Sequence, residues 1–195
     1  MRKLKITEMN RLTEEEFKVS RKKALKVVLD DVRSMHNVGA VFRTGDAFRI
    51  EGIYLCGITA KPPHQEIHKT ALGAEFTVDW KHFENVVDAV EDLHKDGYKV
   101  YAIEQCEGSI MMDNLEIDEK EKYAIILGNE VKGVHQEAID KADGSIEIPQ
   151  YGTKHSLNVS VAAGIVVWEF TKRLKTVDKS SELLLERNEN LGLDY

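Results

Sequence analysis

A chain of 195 residues, 42% hydrophobic and 31% charged, can bury a full core as one domain without disulfide or metal staples. Its two cysteines, Cys56 and Cys106, give no disulfide framework, and no apolar run approaches the ~20 residues of a membrane span. A reducing cytoplasm, no secretory signal and no membrane partner are therefore expected, and the net charge of −7 argues against a generic, uniformly basic nucleic-acid binder.

Residues 1–25 are expected to form a helical lead-in, because Thr13 and Glu16 fit a capping box. Residues 1–26 carry nine cations against four acids. Such a patch is either a solvated face or a local positive surface for RNA phosphates. The main domain is expected over 26–175. Lys26–Asp30 reads as a buried strand, followed by a polar turn and a helix over 37–48 with Asn37 as its N-cap. Ile53–Gly57 is the next strand. Lys61-Pro62-Pro63 breaks the chain before a short helix over 66–72. Residues 83–96 read as an amphipathic helix, since Phe83, Val86, Val87, Val90 and Leu93 recur at helical intervals. Gly97 stops it, and a strand follows over 98–103. Beyond an acidic loop, the continuous apolar run Tyr123–Leu127 suits a strand covered on both faces. A helix at 134–142, a strand at 145–149 and a long helix from Asn158 to about Lys175 complete the domain. An acidic tail of marginal order is expected over 176–195. The repeated strand–helix order predicts an α/β fold, a mainly parallel sheet flanked by helices.

In an open parallel sheet, ligands bind beyond the C-terminal ends of the strands, and three unusual stretches follow strands here. In the first, Asn37-Val38-Gly39 leads to Arg43-Thr44. Gly39 shares a helical face with Arg43 and permits close approach of a ligand or another backbone. An arginine among small and apolar neighbours is costly unless paired, and Asp46 or Asp30 could pair it. The second, Leu127-Gly128-Asn129-Glu130-Val131-Lys132-Gly133, is not a P-loop, since no Gly-Lys-Ser/Thr occurs. By itself it is also a plausible tight strand-to-helix turn. The third runs from Ile148-Pro149 through Gly152 to Ser156-Leu157-Asn158-Val159-Ser160, and enters a helix apolar or small nearly all round. Ser156 or Asn158 alone could simply cap that helix. His64 and His68 are four apart but lack a third candidate ligand, so they read as solvated helix residues and no metal is expected.

Together the three stretches resemble the three motifs of SpoU/TrmH-type RNA 2′-O-ribose methyltransferases of the SPOUT superfamily, in order and spacing, over about residues 25–172. Asn37, Gly39, Arg43 and Thr44 match the first motif. Leu127, Gly128, Glu130 and Gly133 match the second. Ile148, Pro149, Gly152 and the run Ser156 to Ser160 match the third. The resemblance implies a deep C-terminal trefoil knot, a homodimer, S-adenosylmethionine as methyl donor, and an RNA substrate, tRNA favoured over rRNA. It implies donor binding by Gly128, Ile148 and Leu157, with Arg43, Asn37, Glu130, Ser156 and Asn158 as catalytic candidates. Arg43 would act as base or as an electrostatic clamp, and its pKa above 12 favours the clamp. The ribose signature Ser156-Leu157-Asn158 argues against methylation of a base. The alternative is a non-catalytic RNA-binding or assembly protein with the same fold.

Overall fold

The computed structural model describes residues 1–174, so the acidic tail expected over 176–195 lies outside the described residues. Along the chain run α1 (Glu14–Val19), β1 (Lys23–Asp30), α2 (Met35–Ala47), β2 (Ile50–Cys56), α3 (Gln65–Ala71), β3 (Trp80–Phe83) and α4 (Val86–Lys95). They are followed by β4 (Tyr98–Ile103), β5 (Ile110–Met111), β6 (Lys122–Leu127), α5 (Gln136–Lys141), β7 (Gly144–Glu147) and α6 (Val159–Arg173).

The seven strands form one sheet in the order β3-β2-β1-β6-β4-β7-β5, and every neighbouring pair is parallel. The order records two insertions. β6 enters between β1 and β4, and β7 enters between β4 and β5, so the later strands fill gaps left by the earlier ones. Alternate side chains explain why β1 and β6 are apolar throughout. Val27, Leu29, Ile125 and Leu127 face the layer that holds Phe42 of α2 and Val166 and Phe170 of α6. Val28, Ala124 and Ile126 face the layer that holds Val90 and Leu93 of α4 and Ala138 of α5. Each fully buried aliphatic side chain contributes roughly 1.5–3 kcal/mol, so both faces supply the driving force for a central parallel sheet.

Three elements differ from the sequence expectation. Ser34, not Asn37, caps α2: its hydroxyl accepts from the Asn37 amide at 3.3 Å, and the helix begins at Met35. Asn37 thus sits in the first helical turn with its side chain free for other partners. Phe83 belongs to β3, which pairs with β2, and Asn85 caps α4 by accepting from Asp88 N–H at 2.9 Å. Phe83 mimicked the helical spacing because its ring packs near α4 from the adjoining strand, 4.9 Å from the Tyr54 ring. Within the acidic loop, Ile110 and Met111 add a two-residue edge strand, too short and too exposed to leave a periodic signal. In the lead-in, the capping box of Thr13 and Glu16 is present, although α1 has only six residues.

Phe170 is fully buried and meets the Tyr123 ring edge-on at 5.3 Å. Phe170→Ala is expected to cost about 3–5 kcal/mol, read as a lower urea midpoint with an unchanged m-value.

Candidate active site

Residues following β1, β6 and β7 converge at the C-terminal edge of the sheet. Those after β6 and β7 border a cleft of about 1130 Å³ lined by Gly128, Glu130, Ile148, Ser156, Leu157 and Asn158, with Glu104 and Gln105 from the end of β4, whereas Asn37, after β1, is outside this lining. After β6 the chain folds back on itself. Asn129 N–H donates to the Gly133 carbonyl at 3.0 Å, and Gly133 N–H returns a bond to the Asn129 carbonyl at 2.9 Å. This fold-back requires glycine at 128, because a Cβ there would lie 2.1 Å from the Gly133 carbonyl carbon and 2.2 Å from Val134 N.

A chain of hydrogen bonds ties the three stretches together. One Glu130 oxygen accepts from Ser34 N–H and from the Asn37 side-chain amide, each at 3.0 Å, and the other accepts from Arg33 N–H at 3.0 Å. Asn37 Oδ1 in turn accepts from Asn158 Nδ2 at 3.2 Å. Asn158 Oδ1 then caps α6, accepting from Ser160 N–H at 2.9 Å and Ser160 Oγ at 2.6 Å. A carboxylate beside the first turn of α2 is also favoured by the helix dipole. Burial works to raise the Glu130 carboxyl, but backbone donors from Arg33, its own N–H and Ser34, with the Asn37 amide, outweigh it and hold the group below its ordinary value.

Ile148 and Leu157 both border the cleft, and Leu157 leaves 39% of its surface exposed. Ser156 lies on the exposed 151–158 loop, which Gln105 Nε2 anchors through the His155 carbonyl at 3.1 Å. Arg43 is placed apart from these residues. It lines a second cavity of about 470 Å³ with Ala40, Thr44, Ala47, Phe48, Lys69 and Thr70. Neither expected acid pairs with it: Asp46 accepts from Thr77 Oγ1 at 2.6 Å, and Asp30 is bound by His135. Gly39 does serve close approach, and the approaching group is α3: a Cβ would meet Thr70 Oγ1 at 2.1 Å and the Ile67 carbonyl at 2.3 Å. His64 caps α3 and His68 bonds the buried Glu75 at 2.5 Å, so the two histidines do not act together.

The family model for the SpoU rRNA Methylase family matches residues 24–168. The chain belongs to the SpoU rRNA Methylase family. It is 32% identical over 173 residues to a tRNA (guanosine(18)-2′-O)-methyltransferase of Borreliella burgdorferi, covering 88% of this chain and 77% of the relative. The TrmH/SpoU tRNA modifying enzyme of A. aeolicus superposes with a TM-score of 0.73 at 26% identity, over 91% of this chain and 93% of that one. An AdoMet-bound rRNA methyltransferase from Sinorhizobium meliloti gives 0.72 at 30% identity, over 80% and 59% respectively.

Two cleft residues of this SpoU-family chain have roles that the sequence alone did not single out. Glu104 receives Val134 N–H at 3.1 Å, and Asn129 Nδ2 donates to the Asp31 carbonyl at 2.7 Å, joining the loop after β6 to the end of β1. Their signal was position: both stand just beyond a strand end, where the rule for open parallel sheets places ligands.

Two predictions follow from this geometry. Gly128→Ala is expected to force the fold-back open and weaken ligand binding in the cleft by at least about tenfold, an order typical of misplaced site geometry, while far-UV circular dichroism stays unchanged. Glu130 carries a depressed folded-state pKa, so its stabilisation is complete above the unfolded value of about 4.3 and is lost as pH falls through the lower folded value. Glu130→Gln is therefore expected to flatten the acid side of the stability–pH curve, measured by urea unfolding from pH 3 to 7.

Proposed function

We propose that this chain methylates the 2′-hydroxyl of an RNA ribose, with tRNA favoured over rRNA, using S-adenosylmethionine as donor. The observation that carries this reading is the hydrogen-bonded chain Glu130–Asn37–Asn158–Ser160, which draws all three motifs to the rim of one cleft. Membership of the SpoU family and the likeness to tRNA ribose methyltransferases support the class and the substrate preference.

The cleft suits the donor in size and chemistry. Its volume reaches the range of small-molecule sites, and Ile148 and Leu157 offer apolar surface for an adenine. At Gly128, close packing against Gly133 and Val134 leaves backbone groups as the cleft floor. When bound, S-adenosylmethionine supplies a methyl group already activated on its sulfonium. The chain's own task is to hold the ribose hydroxyl in line and ease departure of its proton. Asn37, Glu130 and Asn158 are held in a fixed array and serve to orient, while Ser156 is open to contact ribose.

Arg43 is read as the electrostatic clamp. Among the described residues its guanidinium has no hydrogen bond or ion pair, which leaves its donors for an RNA phosphate or hydroxyl. Because it faces a cavity separate from the cleft, its participation calls for a second copy of the chain. A homodimer is supported by the exposed apolar surface beside it: Trp168 is 55% exposed against Phe48, and Val161 is 51% exposed. The reading also includes the trefoil knot, consistent with the two strand insertions and with α6 returning to pack on α2, β1 and β6. A cytoplasmic setting follows from the RNA substrate.

Transfer of labelled methyl to unmodified tRNA and to rRNA tests this, with digestion to nucleosides. Label is expected in a 2′-O-methylnucleoside, mainly from tRNA, and Arg43→Ala is expected to lower transfer about 10²- to 10³-fold, the scale of a lost transition-state donor. Label on a base would overturn the ribose assignment, and donor binding with no label on either RNA would favour a non-catalytic RNA-binding protein. Sedimentation should give a dimer, and Trp168→Glu should yield monomers that bind RNA without transferring methyl.

A further inference from the structure

Behind the loop that follows β6 lies a cluster in which no cleft-lining residue takes part. The Asp30 carboxylate, at the end of β1, is 2% exposed. It receives three contacts from His135, the residue that ends this loop: the backbone N–H at 2.8 Å and ring Nδ1 at 2.9 and 3.0 Å from its two oxygens. The other ring nitrogen, Nε2, lies 3.7 Å from Asp31 Oδ2. The loop so anchored presents Lys132, Gly133 and Val134 to the cleft, while His135 stays outside its lining. The three groups bring ligand atoms within 4.8 Å of one another. A cation there would have to displace the existing bonds between Asp30 and His135, so the arrangement is that of a clamp.

We propose that His135 is a positioning residue for donor binding: held between Asp30 and Asp31, it fixes the wall of the cleft formed by Lys132, Gly133 and Val134. The inference rests on the reading of that cleft as the donor site. A buried carboxylate is costly without a partner, and among the described residues His135 supplies every hydrogen bond given to Asp30's side chain. The clamp therefore locks the loop only while both partners are in place.

Charge makes the clamp dependent on pH. The hydrogen bond to Asp30 and then its charge raise the His135 pKa, burial opposes this, Asp31 adds to it and Lys132 subtracts. Behind the aspartates stand Cys56 of β2 and Asp88 of α4. Burial, followed by the charges of Asp30, Asp31 and Asp88, pushes the Cys56 thiol far up, so it stays neutral across the relevant range. With its folded value raised, His135 gives its full contribution below the ordinary histidine value of about 6.5 and loses it as pH rises through the raised value. Donor affinity should fall over the same interval.

The test is calorimetric titration of S-adenosylmethionine into the full chain from pH 6 to 9, for the unaltered protein and His135→Gln. Titration of the donor's own amino group is common to both and cancels in the ratio of their dissociation constants. At pH 6 the variant is expected to bind at least about fivefold more weakly, and the ratio should shrink toward one by pH 9. By reciprocity, saturating donor should shift the His135 ring titration upward, read by NMR on the unaltered protein. This second measurement decides the matter should the variant fail to fold. A pH-independent ratio, or an unmoved ring titration, would overturn the positioning role while leaving the cleft as the donor site. Failure of the unaltered protein to bind the donor at any pH would overturn both.

Discussion

The site depends on a carboxylate that belongs to one loop and is satisfied by another. Glu130 follows β6, yet its donors are Arg33, Ser34 and Asn37, almost a hundred residues earlier in the chain. The contact can form only when β6 lies beside β1, and the sheet order provides that neighbourhood by inserting β6 between β1 and β4. Packing inside the sheet and polar order at its edge are therefore coupled. The apolar runs of β1 and β6 place both strands at the centre of the sheet, and their observed register delivers Glu130 to the start of α2.

From that junction the order spreads in two directions. Asn37 carries it to Asn158, so the same interaction that closes the start of α2 also closes the start of α6. On the other side, Asn129 and His135 fasten the two ends of the loop after β6 to Asp31 and Asp30. The loop is held at several points, by Glu104, Asn129 and Glu130 within the lining of the cleft and by His135 outside it. Preorganisation of this kind reduces what must be ordered on binding.

Much of the arrangement was legible in the sequence. The doubly apolar runs of β1 and β6, the helical spacing of Val86, Val90 and Leu93, and the turn residues between them give the layers and the parallel sheet. Motif positions Gly128, Glu130, Leu157 and Asn158 all line one cleft. What escaped the reading was non-local. Asn37 looked like a cap because asparagine before an apolar helical run usually is one. Ser34 three residues earlier fits the role equally well, and only the position of Glu130 decides which side chain stays free. Strand β3 was hidden because Phe83 continues the spacing of the following helix, while the partner that makes it a strand is β2.

Arg43 shows most clearly where one chain stops being enough. Its position left two readings, a structural arginine paired with Asp46 or Asp30 or an active-site group, and both acids are committed elsewhere. The Arg43 side chain is exposed, so its guanidinium stays hydrated and needs no internal partner. Its donors are open to charge from outside, which in the proposed reaction an RNA strand beside a second copy would supply. The folding core and the proposed catalytic array thus obey different constraints. The core is closed within one chain by burial, whereas the array leaves Arg43, Ser156 and the apolar side chains of Trp168 and Val161 turned outward, toward the partners the proposed reaction needs.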